Sequence, residues 1–407
     1  MIQFSSNVLI IGGGINGYLL AYILSKANLS VIVIDKKQIT PKKNLFDGRA
    51  YAMSYSSVNV FKAINIWDEI QQNAQEIKKM LISTSKDKSS TSLGILEFNK
   101  SDLHGEFIGF MVEDRFLLSS LYERLQDTNV QIIRGKKAES FQVCENEALI
   151  KLSGGDTIKA DLVVAADGKR SEIAKKAGIS RFGWHYGQKA LVSAVSHEHS
   201  HDATAYQIFY PSGPFAILPL KGNKSSLVWT ETSTQADEIM KLTNEGYLAR
   251  LKNKFGNFLG EIELIGDKYV FDLDLGVSEQ IVGDRLALVG DSAQNIHPIA
   301  GQGLNLGIRD VACLAEVLIQ GFRLGEDIGS LALLRRYEQW RRLDTTLLFA
   351  ATDSVNRFFS NNNSLLNFGS SIGMKVIDNI PYIKRLLMYE AMGVNGDLPK
   401  LLRGFVP

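Results

Sequence analysis

Cysteine is scarce. Among 407 residues only Cys144 and Cys313 are cysteine, with no CxxC or other paired spacing. That excludes a disulfide framework, a dithiol shuttle and a cysteine-ligated metal site, and suggests a reducing compartment and two buried thiols. Charge of one sign is equally lacking: 45 Lys and Arg against 44 Asp and Glu leave a net +1, so no global field draws the chain to nucleic acid or anionic lipid. No apolar run approaches the roughly 18 residues needed to cross a bilayer. The opening MIQFSSNVLIIGGG has neither the basic flank nor the long apolar core of a secretory signal. A cytoplasmic protein of two or three substructures is expected, with no internal repeat and no disordered tract.

What is present is a strand-and-turn pattern. Residues 8–11 form a short apolar run, GGGING turns it, 18–24 supply a helical face, and VIVI at 31–34 is a second buried run. Strand, turn, helix, strand is the opening of a parallel α/β sheet. Residues 130–133, 149–152 and 162–165 read as further strands, while Lys86–Ser92 reads as an exposed loop. From about Gln188 to Thr232 alternating strands separated by Pro211-Ser-Gly213 and Lys221-Gly-Asn-Lys224 read as antiparallel hairpins. From about Leu304 to Phe359 the pattern is helical. Residues 380–392 form an amphipathic tail with Ile383, Leu386, Leu387 and Met388 set against Lys384 and Arg385. That tail either packs on the protein or meets a partner or membrane surface.

Gly12-x-Gly14-x-x-Gly17 follows a strand and opens a helix, the context in which glycines permit a tight turn and let a pyrophosphate approach backbone N–H groups. Asp35 ends the next strand and is placed for a ribose diol. This implies a dinucleotide without choosing between FAD and NAD. Two further stretches carry acids beside glycine: DLVVAADGKRS from Asp161, containing Asp167-Gly168, and GDSAQNIHPIAGQGLNLGIRD from Gly290.

In this order the three stretches resemble the FAD-dependent aromatic hydroxylases that share the fold of para-hydroxybenzoate hydroxylase. GQGLNLGIRDVACLAEVL narrows the likeness to the ubiquinone-biosynthesis hydroxylases of the UbiH, UbiF and UbiI type. DGRAYAMS from Asp47, VEDR from Val112, FYPSGPFAILP from Phe209 and AMGVNGDLPKLLR from Ala391 agree with it. The resemblance implies a Rossmann-like FAD-binding α/β domain with an inserted antiparallel sheet and a helical C-terminal region. The domain bounds are 1–80, 100–185 and 270–345 for FAD, 81–99 and 186–269 for substrate, and 346–407 for the last.

It implies that Gly12, Gly14, Gly17 and Asp35 hold the ADP half. Arg49 and Arg115 would face phosphate or ribityl, Asp167 would lie near FAD and the nicotinamide path, and Asp291 would bind ribityl hydroxyls. Gly301, Gln302, Gly303, Leu304 and Asn305 would present N–H groups to the flavin edge where reduced flavin carries its anion, with Pro298 against the ring. Phe209, Tyr210, Phe215, Ile217 and Leu218 are candidate pocket lining.

The implied reaction uses NAD(P)H or another donor to reduce FAD, then O2 at C4a, whose distal oxygen passes to a polyprenylated phenol or quinone intermediate. No metal enters it. Other quinone-biosynthesis proteins and the face of an inner membrane are the implied partners. Family members commonly carry histidine at Gln294, asparagine at Asp114 and arginine at Ile208. His297 remains, without a general-base role. A hydroxylase of another aromatic compound, a plain NAD-dependent dehydrogenase and a flavin-binding scaffold stay open as alternatives.

Overall fold

The computed structural model describes residues 3–43, 46–84, 96–103, 107–295, 301–342 and 380–407. The apolar runs at the start pair as strands β1 (Gln3–Ile11) and β2 (Val31–Asp35), joined by α1 (Ile15–Lys26). Residues Val8 to Ile11 lie parallel to Val31 to Ile34, and β1 is parallel on its other side to a strand spanning Thr157–Ala165.

A second layer begins with β3 (Ala50–Ser54), α2 (Tyr55–Ala63), α3 (Trp67–Gln71) and β4 (Gln75–Ile77). Strands β5 (Lys79–Thr84) and β6 (Leu96–Asn99) follow, then β7 (Gly109–Glu113) and α4 (Asp114–Gln126). Next come β8 (Gln131–Arg134), the hairpin β9 (Ala138–Val143) with β10 (Ala148–Leu152), β11 (Thr157–Ala165) and α5 (Glu172–Lys176). Among the described residues, the first sheet runs in the order β17 (Val282–Gly283), β18 (Leu286–Leu288), β11, β1, β2, β8, with β10 and β9 off β11. Strand β1 is buried on both faces. Val8 and Ile10 join the core under α1 and α4, and Leu9 and Ile11 join the one under the β9–β10 hairpin and α5. Continuous apolar runs are the sequence mark of such strands.

The second sheet orders β19 (Gln294–Asn295), β16 (Ile262–Ser278), β12 (Arg181–His197), β15 (Lys224–Thr232), β14 (Gly213–Leu220), β13 (Thr204–Tyr210), β5 and β6. Strands β12 and β16 are 17 residues each, and β12 starts seven positions before the break read at Gln188. Helices α6 (Ser233–Met240) and α7 (Asn244–Phe255) cover one face, packing Tyr247, Leu251 and Phe255 on Leu191, Phe215, Ile217 and Trp229. The opposite face meets the small sheet β3–β7–β4 through Ala205, Leu218 and Leu220 against Ala50, Ala52, Ile77 and Met111.

Helix α8 (Gln302–Arg323) lies against α1, and residues 331–342 are again helical. The helical reading from 343 to Phe359, the loop Lys86–Ser92, and His297 with Pro298 fall outside the described residues. The amphipathic tail forms a helix over Pro381–Met392, with Met388 and Met392 buried near Leu96, Phe98 and Ile108. Tyr382, Ile383, Leu386 and Leu387 are exposed, so of the four apolar residues read as one face only Met388 is buried. One thiol expectation is corrected. Cys313 is buried, but Cys144 is exposed because it sits in the turn between β9 and β10, its N–H bonded to Glu147 O. No helix among the described residues is long and apolar enough to cross a membrane.

The connection between β12 and β13 is held by two histidines. His197 Nδ1 lies 2.7 Å from the His199 carbonyl and its Nε2 lies 3.0 Å from Ser225 Oγ, while His201 Nε2 contacts the Leu220 carbonyl at 2.7 Å. Burial pushes His197 below its ordinary value of 6.5, and neighbouring His201 adds to the effect. Its unfolded form therefore gains a proton first as pH falls, and stability is lost between 6.5 and the lower folded value. A denaturation midpoint that drops from pH 7 to pH 5, and drops less in His197→Gln, is the expected outcome of a titration by circular dichroism.

Candidate active site

The glycine turn is built for close approach. Gly12 has φ +121°, and a Cβ there would lie 2.2 Å from the Ala166 carbonyl oxygen of the Asp-Gly turn. At Gly17 a Cβ would fall 1.9 Å from Gly12 O. Gly14 differs: nothing lies within 4 Å of its added Cβ, it is exposed, and it heads α1 without a side-chain cap. The first N–H groups of α1 thus face open space, where an anion is stabilised by the helix end. Asp35 is buried directly beneath, its Oδ2 2.6 Å from where a Gly13 Cβ would be, and its Oδ1 accepts from Lys37 N–H.

The two late motifs meet at a residue that sequence reading passed over. Ser292 Oγ donates to Asp167 Oδ1 at 3.2 Å and accepts from Gly168 N–H at 3.1 Å, joining the Asp-Gly turn to the Gly-Asp-Ser turn. Asp167 Oδ2 also accepts from Glu172 N–H at the start of α5. Asp291 opens outward, with no hydrogen bond to its carboxylate among the described residues. Surrounding protein nonetheless excludes enough water to raise its carboxyl above the ordinary range, against the pull of Arg181 and Lys169. Arg181 donates to the Asp291 and Ser292 carbonyls and so fixes this turn from outside.

From inside, Gly290 N–H donates to Asp310 Oδ2 at 2.9 Å, and Asp310 Oδ1 receives Arg341 Nε at 2.6 Å. Both side chains of this ion pair are essentially without solvent contact. Burial pushes the Asp310 carboxyl up, and Arg341 opposes that shift. Asn16, within the α1 motif, fills the space between two other glycines: a Cβ at Gly290 or Gly307 would lie 2.3 or 2.2 Å from its Nδ2.

Helix α8 also starts uncapped, after Gly301 at φ +65°, and nothing lies within 4 Å of a Cβ at Gly303. Gln302, Gly303 and Leu304 form its first turn. Asn305 pins that turn to β3, donating to Ala52 O at 2.8 Å and accepting from Ser54 N–H at 2.9 Å. Arg49 donates to Asp47 and, at 2.9 Å, to Asp114 Oδ2, and Tyr51 Oη donates to Asp114 Oδ1 at 3.2 Å. Burial raises both the Tyr51 hydroxyl and the Asp114 carboxyl. Arg115 donates to Glu113 at 2.7 Å and lies over the Phe46 and Phe116 rings.

Residues 5–350 match the family model for the FAD binding domain. The chain belongs to that family. The chain is 37% identical to the ubiquinone hydroxylase UbiL of Rhodospirillum rubrum, over 98% of this chain and 93% of that one. It is 30% identical to the 3-demethoxyubiquinol 3-hydroxylase of Escherichia coli K12, over 96% and 99%. Among solved structures, p-nitrophenol 4-monooxygenase PnpA of Pseudomonas putida superposes with TM-score 0.80 at 18% identity, covering 96% of this chain and 99% of that one, which speaks for the fold.

Within this FAD-binding family member, the candidate lining residues divide between two faces. Phe215 and Ile217 point into the core under α6 and α7, with Tyr210 packed against the same cluster, so they do not line a flavin-facing pocket. Leu218 points the other way, onto β3 and β7. Phe209, alternate to Ile208 and Tyr210, shares the side of Leu218. Ile208 itself packs in the α6–α7 core, and Gln294 is buried with its backbone paired to Val277.

Proposed function

We infer that this protein is an FAD-dependent monooxygenase that hydroxylates the ring of a polyprenylated phenol in ubiquinone biosynthesis. The observation that carries the reading is the junction at Ser292, which brings the Asp-Gly and Gly-Asp turns together beside two uncapped helix starts. Ubiquinone hydroxylases aligned over nearly the whole chain support the substrate class.

The residues fit the cofactor. The open α1 terminus at Gly14 suits a pyrophosphate, Asp35 a ribose diol, and the outward carboxylate of Asp291 a row of hydroxyls. In this reading Gly12 and Gly17 set the turn, Asp167 holds the adjoining loop through Ser292, and Arg49 and Arg115, held in place by Asp47, Asp114 and Glu113, offer guanidinium donors at the β3–α4 corner. When bound, FAD would take electrons from NAD(P)H or another donor and activate O2 for transfer to an electron-rich ring.

The chain's own contribution is placement and charge. The N–H groups of Gln302, Gly303 and Leu304 give the α8 terminus a partial positive charge able to stabilise an anion on a ring beside it. Asn305 keeps that terminus fixed to β3 while the chemistry proceeds. The second sheet, with Leu218 and Phe209 on this side, offers an apolar wall that excludes water.

Purified protein should be yellow, release flavin on heating, and consume oxygen with a reduced nicotinamide donor faster when a 2-prenylphenol is added. A colourless protein would sink the reading. A yellow one whose oxygen uptake ignores every phenol would leave the scaffold alternative.

A further inference from the structure

The sheet face that looks toward β3 carries two buried polar atoms that have no protein partner among the described residues: Gln188 Oε1 and Thr230 Oγ1. Leaving such atoms unpaired is costly, and native structures seldom do so without a reason. Their placement follows from register. Leu191 and Val195 of β12 and Trp229 of β15 face α6 and α7. Gln188, Ala190 and Thr230, at alternate positions, therefore face the opposite way, and Ala190 pairs directly across from Thr230.

The two side chains share one space. A Cβ built on Gly213 would lie 2.4 Å from Thr230 Cγ2 and 3.1 Å from Gln188 Nε2. The amide orientation is set by Nε2, which donates to Ser212 O at 2.9 Å and so turns Oε1 away from the hairpin. Thr230 has no exposed surface. Around them lie Ala190, Phe209, Pro214 and Ala216, all buried and apolar. Leu218, four residues along β14, touches the β3 cluster that contains Ala52. A Cβ on Gly301 at the start of α8 would lie 3.3 Å from that Ala52 Cβ. Four strand residues span about 13 Å, a length comparable to an aromatic ring with its substituents.

We propose that Gln188 and Thr230 form the polar end of the substrate pocket and recognise an oxygen substituent on the substrate ring, Gln188 Oε1 accepting from a ring hydroxyl and Thr230 Oγ1 donating to a ring oxygen. The assignment rests on the monooxygenase reading above and names its specificity-determining residues. A site built to bond a hydroxyl discriminates against a ligand that lacks the proton, whereas a purely apolar wall does not.

The test compares holoenzyme binding of a short-tailed 2-prenylphenol and its methyl ether, followed by the change each makes in the flavin absorbance. Wild type should prefer the phenol about tenfold; Gln188→Met should lose most of that preference while binding the ether within twofold of wild type, and Thr230→Val should weaken both compounds alike, since both keep the ring oxygen to which its hydroxyl donates. Thr230→Val without ligand should melt no lower than wild type, since the hydroxyl it removes has no partner to lose. A lower melting point in that variant, a preference that survives Gln188→Met, or affinities for both compounds unchanged in Thr230→Val would overturn the assignment while leaving the flavin reading intact. Wild type that binds neither compound would overturn the functional reading and the assignment with it.

Discussion

Gly14→Val should give a folded, colourless protein. The backbone at residue 14 is extended, with φ −87° and ψ −176°, which any residue adopts, and no atom stands within 4 Å of the new Cβ. Folding loses only a modest cap preference, on the order of 1 kcal/mol or less. The added side chain occupies the space in front of the α1 N–H groups instead. If two charge-assisted bonds to a pyrophosphate are lost there, at about 1.5–3 kcal/mol each, flavin affinity falls roughly 10²- to 10⁴-fold. Gly17→Ala sets the opposite expectation: its Cβ would lie 1.9 Å from Gly12 O, so the strand and helix must separate and folding itself suffers. Flavin titration of apoprotein, read by fluorescence quenching beside circular dichroism, distinguishes the two. Gly14→Val protein that binds flavin normally would refute the placement of the pyrophosphate.

Arg341→Met is expected to be the most damaging substitution far from any ligand. It leaves Asp310 charged, or forced to take up a proton, inside a site where neither partner touches water. Breaking a buried pair in this way costs about 3–5 kcal/mol. The loss should reach the flavin site, because the same carboxylate holds Gly290 N–H and so the turn that presents Asp291. Adding Asp310→Asn removes the stranded charge while keeping an acceptor for Gly290, and should restore most of the stability. Equilibrium denaturation of the two single variants and the double variant measures this coupling. Equal and additive losses would show that the pair does not act as a unit.

Much of this was readable from residue pattern. The runs at 8–11 and 31–34 are buried on both sides of a parallel sheet, an environment whose strands read as uninterrupted valine, leucine and isoleucine. The glycine spacing located the α1 terminus because each glycine answers a steric demand.

The pocket lining was less legible. Alternation in FYPSGPFAIL announces two faces but cannot say which one α6 and α7 will cover, and they cover the side of Phe215 and Ile217. The polar supports were missed for a related reason. An acid in GIRDVACLAEVL reads locally as solvent-facing, although Leu306, Asp310, Cys313 and Val317 fall on one buried helical stripe. An acid on an apolar stripe is a signal of a buried partner, and Arg341, one turn beyond buried Tyr337, was the matching one. Ser292 carried no comparable mark, because its role depends on a contact across 125 residues.

The amide of Asn16 has a consequence for how the glycine fingerprint is understood. Written as G-x-G-x-x-G, the motif treats residue 16 as arbitrary. Here that side chain is the spacer between three chain segments, filling the room that side chains at Gly290 and Gly307 would otherwise claim. The glycines and the asparagine are therefore one complementary surface shared by distant parts of the chain. A chimera that transplants the glycines from another dinucleotide-binding protein without this asparagine would carry the pattern but not the fit.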